Sequence, residues 1–257
     1  MTSISLARAG LSGAGLLLAM WLPGWAAAAG LNDTGITGCA SDAQNNLTCP
    51  QAGFPSQDAE TGRDAQVGLS KAGGGSAGFD FTKLDSSGNP LPADAASWDC
   101  VRDNVTGLIW EIKTDDGGLR DKDWYYTWYN SDPATNGGDA GSLGFNTCGG
   151  TLPSSQCNTQ AYVAAVNALN PKLCGFSDWR MPTVEELRTI VDYSRPYPAI
   201  VDTAYFPQTL PYYYWSASPY ASDPDNAWYL DFRLGDTIAY VNDKGYGYAV
   251  RLMRGGQ

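Results

Sequence analysis

The stretch DWRMPTVEEL, residues 178–187, sets Asp178, Glu185 and Glu186 beside Arg180 and Trp179. Two carboxylates converging on one bond can serve as acid and base, or as acid and nucleophile, in glycoside hydrolysis. Neighbours on a helix point about 100° apart, so Glu185 and Glu186 do not face one substrate. Thr183 precedes Glu186 by three residues, ahead of the apolar Leu187, Ile190 and Val191. That pattern predicts a capping box, with the Thr183 hydroxyl and the Glu186 carboxylate each accepting the other residue's backbone N–H. Glu185 falls in the first turn, where the helix dipole favours an acid, and Pro182 fixes an extended entry. Glu185 is placed to pair with Arg188, and Arg188 with Asp192. Trp179 is expected inside, with Asp178 and Arg180 on the opposite side of an extended segment. The motif reads as the start of a helix.

Other chemistry is limited by composition. The chain has no histidine, which removes Ser-His-Asp and Cys-His nucleophile systems and His-ligated zinc. Asp115, Asp116, Asp121 and Asp123, with Gly117 and Gly118, form the strongest oxygen-ligand cluster, a candidate for calcium. The spacing is not that of an EF-hand, and a solvated acidic loop is the favoured reading. No cofactor is expected. The six cysteines show no C-x-x-C spacing, so disulfides are the default in an oxidising compartment. Proximity predicts Cys39–Cys49 and Cys148–Cys157 and leaves Cys100–Cys174 to close a long loop.

The compartment follows from the first residues. Arg8 is the sole charge before Asp33, an apolar run spans 11–22, and Ala26–Ala29 supply a small-residue cleavage site. This reads as a secretory signal peptide over 1–29, with an apolar run short for a membrane span. Roughly 230 residues remain, enough for one large domain or a domain with an arm. No later apolar run is of spanning length. The formal charge is −11, and losing Arg8 makes the balance one unit more negative. That disfavours nucleic acid, anionic lipid and sulfated polymers as partners.

These groups must be positioned by a fold, and the chain divides at about residue 98. Residues 30–97 are rich in Gly, Ser, Asp and Asn and read as an arm, with a β-hairpin in FDFTKLDSSGNPL at 79–91. Residues 98–257 read as the main domain. Strands are expected in CVRD and LIWEIK, and a long polar, aromatic insert covers 114–157. A helix is expected over 158–170, with Asn158 or Thr159 as N-cap and Tyr162, Val163, Val166 and Leu169 on one side. A second helix starts near Val184. Short strands follow in YYYWSAS, NAWYLDF, DTIAYVN and GYAVRLMR. In NAWYLDF, Trp228, Leu230 and Phe232 alternate with Tyr229 and Asp231. The order predicts an α+β fold, two helices beside a mostly antiparallel twisted sheet.

TGLIWEIKTDDGGLRDKDWYYTWYN, CNTQAYVAAVNALN, LCGFSDWRMPTVEELRTIVDYS, PAIVDTAYFPQT, YWSASPY, AWYLDF and VRLMR occur in this order. Together, over about 98–254, they resemble a bacterial domain family typified by the C-terminal domain of the Legionella collagen-like adhesin. This chain has no collagen-like Gly-x-y tract. The resemblance implies a C-type-lectin-like fold related to sulfatase-modifying-factor domains, where a similar Arg-Leu-Pro-Thr-Glu run opens a helix. Those enzymes use a late pair of cysteines, and here no Cys follows Cys174. The calcium-binding sugar motifs of C-type lectins are also missing, so the likeness concerns fold. Related domains display variable residues on their last strands and loops.

The expected site is the C-terminal third. Eleven of the fifteen tyrosines lie between Tyr193 and Tyr248, mixed with Ser, Asp, Asn and Gly. Tyr offers large contact area at low entropy cost, with small polar residues adapting around it. Tyr212, Tyr213, Tyr220, Tyr240, Asn242, Asp243, Lys244 and Tyr246 are the candidate ligand-binding residues. The competing reading has these tyrosines packing over a sheet. The expected function is an adhesion-like binding module, secreted, periplasmic or on the cell surface, recognising a glycan or protein on a cell surface or matrix. Its oligomeric state is open. The alternatives are a sulfatase-modifying-type or carboxylate-dependent hydrolytic enzyme and a structural envelope or appendage component.

Overall fold

The computed structural model describes residues 32–153, 155–195, 198–233 and 240–256, with the backbone alone of Tyr240 and Val241. The expected signal peptide lies outside the described residues. The architecture is α+β, with two antiparallel sheets. Strands β1 (Phe81–Leu84), β2 (Cys100–Asp103), β3 (Ile109–Glu111) and β7 (Met253–Arg254) form one sheet in the order β1-β2-β3-β7. Strands β4 (Tyr213–Pro219), β5 (Asn226–Asp231) and β6 (Tyr240–Asp243) form the other in sequence order. Val101 pairs with Trp110, and Trp110 with Met253.

Both faces of the first sheet are covered. Phe81, Val101, Trp110 and Met253 join one buried cluster, whereas Leu84, Cys100 and Ile109 join a second. Successive strand residues point to opposite faces, so every residue of β3 is buried. Burying each large apolar side chain contributes roughly 1.5–3 kcal/mol. Strands β4 and β5 are sandwiched in the same way. Tyr214 enters the first cluster and Trp215 the second. This changes the expected alternation in β5: Tyr229 and Asp231 are buried with Leu230, and Trp228 is half-buried.

The helices are short. α1 covers Asp58–Thr61 in the arm. α2 covers Thr159–Asn167, and its N-cap Asn158 accepts the Ala161 N–H at 2.9 Å. Tyr162 and Val166, one turn apart, are its buried stripe. The helix stops earlier than 170, with Ala168 as its C-cap, and the Asn167 side chain at its end is clasped by the Trp179 backbone, accepting from its N–H and donating to its carbonyl, each at 2.8 Å. α3 covers Val184–Arg188 behind the Thr183–Glu186 capping box. It too is shorter than its apolar pattern. Ile190 and Val191 lie past its end, yet both are buried in the core.

The arm is stapled by Cys39–Cys49, and Cys148–Cys157 and Cys100–Cys174 complete the expected pairing. Its hairpin is present: β1 turns through Asp85–Asn89, and Leu84 bridges Pro90. β1 is the edge strand of the first sheet, and Phe79 and Phe81 enter the core. Asp192, fully buried, ties the arm down. Its carboxylate accepts from Ser76 Oγ at 2.7 Å, Ser194 Oγ at 2.6 Å and Arg195 Nε at 2.8 Å. Gly35 sits at φ +83°, and a Cβ there would lie 2.0 Å from Asp192 Oδ1, so that contact requires glycine.

Candidate functional site

Packing of the second sheet brings tyrosines from four separate stretches into one connected surface. Tyr212 and Tyr213 enter β4 half-buried. Tyr248, buried at 5 % exposure, is their common floor. Its ring centroid lies 5.0 Å from Tyr213, 4.5 Å from Trp215, 5.0 Å from Tyr229 and 6.3 Å from Tyr246. Tyr212 contacts Tyr213 at 5.1 Å and Tyr125 at 5.2 Å. Such ring pairs contribute about 0.5–1.5 kcal/mol each beyond area burial, so the platform is held together by its own ring contacts. Tyr246 is its most open member, 55 % exposed and nearly parallel to Tyr248.

Polar groups brace the platform. The Tyr248 hydroxyl accepts from Asn242 Nδ2 at 2.6 Å. Burial, with the neighbouring phenols, pushes the Tyr248 pKa up to about 12. Arg233 donates from Nε and Nη2 to the Asp231 carboxylate and from Nη2 to the Tyr213 hydroxyl. Its guanidinium carbon stands 4.2 Å from the centre of the Tyr213 ring.

The sequence-predicted residues separate into groups. Tyr212, Tyr213, Asn242 and Tyr246 come together on the platform. Tyr220 lies beyond the far end of β4, edge-on to Trp228 at 5.4 Å. Tyr240 opens β6 opposite Tyr229 in register, and its side chain is outside the described residues. Asp243 is exposed, its Oδ1 accepting the Gly245 N–H at 2.6 Å. With Asp139 and Asp225 it lines a shallow cleft of about 150 Å³. Lys244 is buried, its Nζ donating to the carbonyls of Asn136, Asp139 and Pro224 at 2.9, 2.7 and 2.6 Å, over the Trp128 ring. Its ammonium fastens three loops together. Tyr125, Tyr229, Tyr248 and Arg233 are platform members that the sequence reading missed. Tyr248 lies two residues from Tyr246, and Tyr125 lies in the aromatic run of the insert, so both carried a compositional signal.

The carboxylates singled out in the sequence, the 115–123 loop and DWRMPTVEEL, are largely matched within the protein. Oxygens of Asp115, Asp121 and Asp123 lie within 4.8 Å of one another. Asp121 accepts the backbone N–H groups of Asp116, Gly117 and Asp123, while Lys122 Nζ sits 3.0 Å from Asp115 and 2.9 Å from Asp123. In DWRMPTVEEL, Asp178 receives Arg254 through Nε and Nη2. Glu186 receives Arg180 through both terminal nitrogens and the Thr183 N–H at 2.8 Å. Burial opposes the charge on Glu186, but these hydrogen bonds outweigh it and hold the carboxyl below its usual range. Glu185 is exposed. Asp192 is engaged by Arg195.

One buried ionic group had no sequence signal. Glu111 is fully buried, accepting the Tyr162 hydroxyl and the Leu252 N–H, with Lys113 Nζ at 3.5 Å. Lys113 also donates to the Tyr162 hydroxyl at 2.8 Å. Burial pulls the Lys113 pKa down to about 8 against the opposing charge of Glu111. Arg251, buried in the same region, donates to the Glu111 carbonyl and to Thr209 Oγ1.

Residues 99–254 match the family described as the Lcl C-terminal domain. No curated protein and no solved structure matches the chain.

Proposed function

The chain belongs to the Lcl C-terminal domain family, and from that premise we propose that it is an adhesion-like, extracellular binding module whose tyrosine platform contacts the partner. The observation that carries this reading is the platform itself: four exposed or half-buried tyrosines braced from below by Tyr248, Tyr229 and Trp215. The rigid aromatic surface carries large contact area with little entropy left to lose on binding. Three disulfides with no free cysteine support an oxidising destination. Among the described residues no helix is long and apolar enough to cross a membrane.

A binding role is favoured over catalysis. All six cysteines are in disulfides, which leaves no thiol for sulfatase-modifying-type chemistry. Each carboxylate that could anchor a hydrolytic pair in DWRMPTVEEL is tied to an arginine or lies alone in solvent. The C-type-lectin-like fold and the glycan-or-protein nature of the partner belong to the same proposal.

The test is binding of the mature protein and of its Tyr246→Ala and Tyr212→Ala variants to whole cells, a glycan array and an envelope extract. Far-UV circular dichroism checks the fold. We expect each variant to keep its fold and to lose binding at least about fivefold. Undiminished binding by both variants overturns the platform as the contact surface.

A further inference from the structure

Resting on the reading of the platform as the ligand-contacting surface, we propose that it recognises a guanidinium carried by an arginine-bearing peptide segment of a protein partner. The first argument is that the platform already holds one guanidinium. Arg233 lies over the Tyr213 face, its carbon 4.2 Å from the ring centre, with a nitrogen donated to the phenol oxygen. An aromatic face attracts a cation through its quadrupole. Tyr246 is stacked at 19° on Tyr248 and is 55 % exposed, and it offers the same kind of face to a second guanidinium from outside.

The second argument is charge. The chain carries 16 basic residues against 27 acidic ones, and its lysines are turned to internal work. Lys71 donates to the carbonyls of Gly75 and Ala77, Lys83 to Ala95, Lys172 to Asn167, and Lys113 and Lys244 as described above. Lys122 is matched to Asp115 and Asp123. At the platform, Arg233 is matched by Asp231. Asp243 stands exposed in the turn that leads to Tyr246, whose N–H bonds the Asp243 carbonyl at 3.0 Å. Among the described residues Asp243 has no cationic partner. An approaching arginine meets an open aromatic face in the same turn as an exposed carboxylate that has no cationic partner among the described residues.

The third argument separates this ligand from a neutral sugar. Reading a pyranose needs fixed polar groups free to bond its hydroxyls. Asn242 is already spent, donating to Tyr248 and accepting the Asp243 N–H. Lys244 is enclosed by three carbonyls. Asn242 and Lys244 are thus turned largely to internal work, and what stands most open is the Tyr246 ring and the exposed Asp243 carboxylate.

The test uses the mature protein and NMR of its tyrosine ring signals during titration with acetyl-Arg-Gly-Arg-amide. The same peptide with citrulline in place of arginine, and methyl β-glucopyranoside, are the comparison ligands. We expect the arginine peptide to shift platform ring signals and to bind at least about fivefold more tightly than the citrulline peptide. Tyr246→Ala and Asp243→Asn should each weaken it two- to fivefold, and Tyr246→Phe should leave it unchanged. Equal binding of the arginine and citrulline peptides, or binding of the glucoside alone, overturns the guanidinium assignment. So does the absence of any ring shift with the arginine peptide. In each case tyrosine-dependent binding to cells or envelope extract can persist, so the platform reading stands or falls separately on the variants in the preceding subsection.

Discussion

The two cysteine pairs of the main domain offer a controlled comparison. Cys100–Cys174 closes a separation of 74 residues and Cys148–Cys157 one of 9. All four side chains are fully buried in the same core cluster, so replacing either pair by alanine trims similar apolar volume. What differs is loop length. In the chain-entropy account, cross-linking removes about 2.1 + 1.5R ln n cal/mol/K from the unfolded chain. That gives about 4.5 kcal/mol for the long loop and about 2.7 kcal/mol for the short one at 25 °C. With a urea slope of about 2.5 kcal/mol/M for a chain this size, Cys100→Ala/Cys174→Ala should lower the unfolding midpoint by about 1.8 M. Cys148→Ala/Cys157→Ala should lower it by about 1.1 M. Equilibrium urea unfolding followed by tryptophan fluorescence, without reductant, reads both. Equal falls, or a larger fall for the short-loop variant, would refute the reasoning.

Two further outcomes follow from the charged groups. Lys113 loses its proton near 8 when folded, whereas the unfolded chain holds it to about 10.5. Between these values the unfolded state binds more protons, so stability rises with pH by up to about 1.4 kcal/mol per unit. Above about pH 10 the raised pKa values of Tyr162 and Tyr126 reverse the trend. The urea midpoint should therefore climb from pH 7.5 to 9.5 in the native protein and climb less in Lys113→Met, where buried Lys83 and Lys244, also lowered, leave a residual slope, and equal slopes in the two would dismiss the assignment. For the acidic loop, Lys122 already occupies the space between Asp115 and Asp123, so adding calcium or a chelator should leave the melting temperature unchanged. A rise of several degrees with calcium would show that an ion displaces Lys122.

Local rules were legible in the sequence and distant partners were not. The Thr183–Glu186 box is set by spacing alone, and it forms as expected. The disulfides follow from proximity for the short loops and from what remains for the long one. The last strand is expected in GYAVRLMR, with Val250 and Leu252 alternating with Arg251 and Met253, yet β7 is only Met253–Arg254. Val250, Arg251 and Leu252 are all buried, and Tyr248 and Ala249 bridge Tyr126 and Tyr214 instead. A segment touching two sheets shows no single period. Lys244 looks like a surface ligand residue because its carbonyl partners at Asn136 and Asp139 lie over a hundred residues away. Glu111 is hidden for the same reason, since Tyr162 and Leu252 complete it from distant elements. On the platform, sequence found Tyr212, Tyr213 and Tyr246 but not Tyr248, because the tyrosine that organises the cluster is the least exposed of its tyrosines.

The sheet order also sets a condition on how the chain reaches its fold. β3 and β7 are neighbours in space, yet they lie near opposite ends of the family-matched region. A chain delivered from its N-terminus holds Ile109–Glu111 with one row of backbone groups unpaired until residues 252–254 arrive to cover it. An open strand edge is a template for other chains, and closing so long a loop is slow. Cys100–Cys174 can form earlier in that sequence and pin β2, the inner neighbour of β3, while the edge waits. A truncation before Leu252 would consequently yield an adhesive, open-edged sheet. Residues 252–254 are thus the part of the chain that closes this edge of β3.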